Sequence, residues 1–121
     1  MNRPFIMIVE DDVELSDIIA TVLQGSGLHT ETVRDGGMAF DRITATEPDV
    51  ILLDMHLPNV SGSDILSSIR STPKLSGTRV VITTADAQLG WANADKADLV
   101  LIKPITFDQI LSLTTRLAYL P

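Results

Sequence analysis

The chain has 121 residues, a length suited to one domain around one core. With 45% apolar and 21% charged residues it is not compositionally disordered, and with no cysteine it has neither disulfides nor a cysteine-based zinc or redox site. Nine basic against sixteen acidic residues give a net charge of −7 and no Lys/Arg cluster able to neutralise nucleic-acid phosphates, so direct nucleic-acid binding is excluded, and the acidity is compatible with a cation site or with a solvated acidic surface. No apolar stretch approaches the ~18–20 residues of a membrane span, and the amino terminus reads as a strand rather than a signal peptide, which predicts a cytoplasmic domain.

In chain order, the apolar run 6–9 predicts a first strand leading into Glu10-Asp11-Asp12. Leu15, Ile18, Ile19, Val22 and Leu23 then follow helical spacing, with Asp12 as N-cap, Glu14 in the first turn and Gly25-Ser26-Gly27 as the stop. Residues 28–33 alternate weakly and predict a short, less buried strand. A helix over 37–46 follows, ended by Pro48. The continuous apolar run 50–53 predicts a central strand covered on both faces and ends in Asp54. Ile65, Leu66 and Ile69 mark a third helix before Pro73, and the run 80–83 leads to Thr84. Between Thr84 and the run 99–102 there are fourteen residues, enough for a fourth helix of about two turns between two short loops. Gly90 and Trp91 lie in that stretch, which is expected to be the least regular part of the fold. Lys103-Pro104 follows the last run, and Thr106 and Gln109 have capping-box spacing ahead of a helix face at Ile110, Leu113, Thr114 and Leu117. Strands alternating strictly with helices predict a single doubly wound (βα)5 α/β domain with a parallel sheet.

Four apolar runs thus end in residues that can do chemistry. In an open α/β sheet, ligands bind outside the carboxyl ends of the strands, so the four ends should converge on one crevice. Glu10, Asp11 and Asp54 would repel one another unless neutralised, and an all-oxygen cluster suits a hard cation such as Mg²⁺. With the charge offset, the crevice accepts a phosphoryl group. Asp54 is then a metal ligand or a nucleophile, Thr84 a hydrogen-bond donor to phosphoryl oxygen, and Lys103 a point-charge partner. The loop after Asp54 is built around Pro58 and Gly62, which leaves a backbone carbonyl near residue 56 as a further ligand candidate. His29 and His56 lie too far apart to suggest a histidine metal site.

Val9-Glu10-Asp11-Asp12, the segment from Asp54-Met55-His56-Leu57-Pro58 to Ser61-Gly62, Thr84-Ala85, Ala97-Asp98 and Lys103-Pro104 together resemble a response-regulator receiver domain of two-component signalling, over residues 1–121. The resemblance implies a flavodoxin-like fold with strand order 2-1-3-4-5. It implies Asp54 as phosphoacceptor, charged by a sensor histidine kinase, a phosphotransfer protein or a small phosphodonor. Mg²⁺ would be bound by Asp11 and Asp54, by Glu10 through water, and by the main-chain carbonyl of His56. Thr84 and Lys103 would bind the phosphoryl group and couple it to the fold. The domain would catalyse only its own phosphorylation and slow dephosphorylation, with His56 and Asp86 affecting how long the phosphate lasts. Its output would pass to an effector domain, a downstream protein or a homodimer partner.

Two features depart from the family pattern. The interval from Thr84 to Lys103 is short, and Val100 stands where many receivers carry a switching aromatic. Valine is stiff at χ1 and has no ring to swing. Both changes motivate an alternative reading as a constitutive adaptor. A phosphatase with an Asp nucleophile is a further alternative, but His56 occupies the place of its second Asp.

Overall fold

A computed structural model of the chain describes residues 3–121. Five strands, β1 (Phe5–Val9), β2 (His29–Val33), β3 (Val50–Asp54), β4 (Arg79–Thr84) and β5 (Leu99–Ile102), form one sheet in the order β2-β1-β3-β4-β5. Every neighbouring pair is parallel. The five helices are α1 (Val13–Gly25), α2 (Gly36–Thr46), α3 (Gly62–Arg70), α4 (Ala87–Ala92) and α5 (Phe107–Ala118). The expected doubly wound domain and its strand order are both present, with two 3-10 turns added at Pro73–Leu75 and Ala94–Lys96.

The continuous apolar runs follow from burial on both faces. Side chains alternate along a strand, so Met7, Val9, Ile51, Leu53, Val80 and Ile82 pack with Ile43, Ile65, Leu66 and Ile69 of α2 and α3. Ile6, Ile8, Val50, Leu52 and Val81 point the other way, onto Ile19 and Leu23 of α1 and Ile110 of α5. Each such side chain contributes roughly 1.5–3 kcal/mol when fully buried. β2 is an edge strand and is only partly buried, as its weak alternation foretold.

Helix ends follow the side-chain signals. Asp12 accepts from the Leu15 N–H at 2.9 Å, and Thr106 and Gln109 form the expected reciprocal capping box. The face of α1 differs from expectation. Ser16, Ile19 and Leu23 form its buried row, whereas Ile18 is 37% exposed. Ser16 takes a core position because its hydroxyl donates to the Val13 carbonyl and accepts from the Arg34 guanidinium, which satisfies a buried polar group.

The fourteen-residue interval holds a six-residue α4 and a 3-10 turn. Gly90 lets α4 lie close on the sheet: a Cβ there would stand 2.9 Å from Val100 Cγ1 and 3.0 Å from Thr84 Cγ2. Asn93, buried just beyond α4, donates to Ser63 Oγ of α3 and to the Leu89 carbonyl. Arg70, at the end of α3, donates to the carbonyls of Lys96 and Thr78 and to the Asp98 carboxylate. The segment is short, but it is pinned at both ends.

Candidate functional site

Strand register brings the chemistry together. Val9 pairs with Leu53, Asp54 with Thr83, and Thr84 with Ile102, so all four strand ends reach one edge of the sheet. The backbone continues the ladder past the strands: Glu10 N–H donates to the Val33 carbonyl, Met55 N–H to Thr83, and Lys103 N–H to Thr84 at 2.7 Å. Glu10, Asp54 and Lys103 are therefore placed by rigid sheet backbone rather than by loops.

Glu10 and Asp54 are both buried, each 4% exposed, whereas Asp11 is exposed at the rim. One carboxylate oxygen from each of the three lies within 4.8 Å of the others. The Lys103 ammonium spans the pair of buried acids, 3.0 Å from Glu10 Oε1 and 3.8 Å from Asp54 Oδ1. Among the described residues a single cation faces three acids, which leaves an excess of negative charge in the crevice. Burial pushes the Glu10 carboxyl up to about 7; the bond from Lys103 opposes this, and the Asp54 charge adds to it. Clustered, oxygen-only and under-neutralised, this donor set is suited to a hard divalent cation.

The other sequence-predicted residues occupy distinct places. His56 is exposed, and its N–H donates to Asp54 Oδ1 at 3.2 Å, so the loop backbone touches the central carboxylate. Thr84 is fully buried, and its Oγ1 accepts from the Asp86 N–H at 3.0 Å, so it serves the turn into α4. Asp86 caps α4 through the Leu89 N–H. Val100 is half-buried against Gly90 of α4.

Sequence reasoning passed over the support for the loop after Asp54. Asp35 Oδ1 caps α2 through the Gly37 N–H at 2.7 Å and also accepts from the Asn59 side-chain amide at 2.9 Å. Gly36 lies directly against that loop, and a Cβ there would stand 2.6 Å from the Val60 carbonyl oxygen. Gly62 meets it from the other side, with a Cβ position 2.6 Å from Met55 Cα. An Asp before a helix and an Asn after Pro are local signals, but no periodicity links residues 24 positions apart.

Comparison with known proteins gives a consistent family. The response regulator receiver domain matches residues 6–115. The DNA-binding response regulator MtrA of Mycobacterium tuberculosis is 34% identical over 107 residues, covering 84% of this chain and 45% of that protein. The transcriptional regulatory protein CutR of Streptomyces coelicolor is 32% identical over 114 residues, covering 88% of this chain and 50% of that protein. The chain thus spans about half the length of the curated relatives it matches. Among solved structures, the signal receiver domain of a Luxo repressor protein from Vibrio parahaemolyticus superposes with a TM-score of 0.88 at 28% identity, covering 97% of this chain and 91% of that one.

Proposed function

The chain belongs to the response-regulator receiver family of two-component signalling, and from that membership we propose that residues 1–121 form a phosphorylation-switched receiver whose acceptor is Asp54. The observation that carries this reading is the Lys103 ammonium held between the Glu10 and Asp54 carboxylates at the carboxyl edge of the sheet. An ion pair built only for stability would not leave further carboxylate charge unanswered at the same point.

Asp11, Asp54 and the His56 main-chain carbonyl would hold Mg²⁺, with Glu10 reaching it through water. When bound there, the cation would supply charge neutralisation for the incoming phosphoryl group. The chain's own residues do the rest. An Asp54 carboxylate oxygen attacks phosphorus, a P–O bond forms, and the P–N bond of a phosphohistidine breaks, with the imidazole leaving and taking up a proton. Lys103 exchanges its bond to Glu10 for one to a phosphoryl oxygen. Thr84 donates its hydroxyl to another once that side chain turns from Asp86. Water attacking the acyl phosphate reverses the modification slowly, and His56 and Asp86 at the rim govern its access.

The donor is a sensor histidine kinase or a phosphotransfer protein. Val13 (57% exposed) opens α1 next to Asp12, and Phe107 (41% exposed) opens α5 just after Lys103, so apolar side chains flank the crevice where such a protein would dock. DNA binding is named for MtrA as a whole; with a charge of −7 this domain would instead signal through contact with an effector domain, another protein or a second copy.

Incubation with Mg²⁺ and acetyl phosphate is expected to add one phosphate, seen as a single mass increment. Asp54→Asn should abolish it, and chelation of Mg²⁺ should suppress it. Labelling that persists in Asp54→Asn would refute the assignment.

A further inference from the structure

We propose that Asp35 is a positioning residue for the crevice: through Asn59 it fixes the loop of residues 55–61, which carries the His56 carbonyl, and so sets the affinity for a divalent cation. The inference rests on the reading of the crevice given above.

The loop needs external support. It follows Asp54 directly, and its own main-chain bonds are few: Val60 N–H to the Pro58 carbonyl and Gly62 N–H to the Met55 carbonyl at 3.3 Å. Asn59 at its tip is exposed and sits at φ 73°, in the left-handed region that Asn tolerates better than most residues. From this tip the side-chain amide reaches Asp35 Oδ1 at 2.9 Å. Among the described residues this is the one side-chain hydrogen bond joining the loop to α2.

An exposed amide–carboxylate bond on a free loop would do little. Here it closes a contact already made by shape. A Cβ at Gly36 would stand 2.6 Å from the Val60 oxygen and 3.0 Å from the Pro58 oxygen, so backbone packs on backbone beside the bond. Leu57 and Val60 anchor the loop to the core beneath. The Asp35 carboxyl is held below the usual carboxylate range, first by the Asn59 amide and then by the Gly37 N–H, which keeps it ionised and the bond charge-assisted. On the far side, Gly62 holds the loop against the first turn of α3. With Asp35 engaged, the tip and the far end of the loop are both fixed, and the His56 N–H stays on Asp54 Oδ1.

Two substitutions separate this role from helix capping. Asp35→Ser keeps a cap for the Gly37 N–H but is too short to reach Asn59. Asn59→Gly keeps the left-handed backbone and removes only the amide. Titration of each full chain with MgCl₂, followed by NMR of the Asp54–His56 amides, should show binding weakened about threefold to tenfold, less than the ~10–100-fold typical for partners bonded directly to a metal ligand. The double variant should be no weaker than the weaker single, because one bond is lost in all three. In the metal-free chains, hydrogen exchange at Val60 and Gly62 should quicken in both single variants. Unchanged Mg²⁺ affinity, with or without a loss of stability, would overturn the proposal, as would additive losses in the double variant. A wild-type chain that takes up no Mg²⁺ would instead overturn the reading of the crevice, and this inference with it.

Discussion

Glu10→Gln tests the electrostatic account of the crevice without requiring any metal. Folding raises the Glu10 carboxyl from 4.5 to about 7, mainly by burial. Between those values the native state binds more protons than the unfolded chain, so metal-free stability should fall as pH rises through this window. At 1.36 kcal/mol per tenfold change in proton affinity, the full effect corresponds to roughly 3 kcal/mol. Asp11 is exposed and Lys103 is 28% exposed, so water reaches the crevice mouth and screens the interaction. A loss of about 1–2 kcal/mol is expected after that discount. The assay is urea unfolding in EDTA at steps from pH 5 to pH 8, for wild type and Glu10→Gln. The glutamine has no charge to desolvate, so the variant should lose less stability across the range and should be the more stable chain at pH 8. Parallel pH profiles for the two proteins would refute the reasoning.

Gly90→Ala places a Cβ 2.9 Å from Val100 Cγ1 and 3.0 Å from Thr84 Cγ2, both on stiff β-branched side chains. Overpacking should outweigh the ~1 kcal/mol gain in helix propensity and leave a net loss of about 1–2 kcal/mol in urea unfolding. Adding Val100→Ala should recover part of it, and a Gly90→Ala chain as stable as wild type would show that α4 does not pack this closely. Arg70→Leu removes donors to the Lys96 and Thr78 carbonyls and to Asp98, and should cost about 1–3 kcal/mol. Hydrogen exchange should speed up at Val80, whose N–H is bonded to Asp98, and unchanged exchange there would count against the network.

What was legible in the sequence is what repeats or lies locally along it. The runs ending at Glu10, Asp54, Thr84 and Lys103 announced the strands and their common edge, because burial on both sheet faces requires uninterrupted apolar stretches. Asp12, Thr106 and Gln109 announced helix starts because a cap lies within four consecutive residues. Ile18 was placed on the apolar face by its spacing, whereas Ser16 takes the core row because its hydroxyl finds two partners. The Asp35–Asn59 bond, the Arg70 fan and the Gly90 contact were illegible for a different reason. Each joins segments distant in sequence through geometry that no periodic pattern encodes.

The two departures from the family pattern meet at one contact. Val100 and the short α4 meet at Gly90, where an added Cβ would stand 2.9 Å from Val100 Cγ1. Thr84 lies under the same contact, with Cγ2 against the Gly90 position and Oγ1 on the Asp86 N–H at the start of α4. Methyl and hydroxyl share one χ1 bond, so they move together. Any rotation that carries the hydroxyl away from Asp86 also takes the methyl off Gly90 and releases both attachments of α4 to this residue. With no ring at residue 100, the proposed phosphorylation of Asp54 would make α4 the element that responds to Thr84, and its exposed Trp91 lies one residue from the contact.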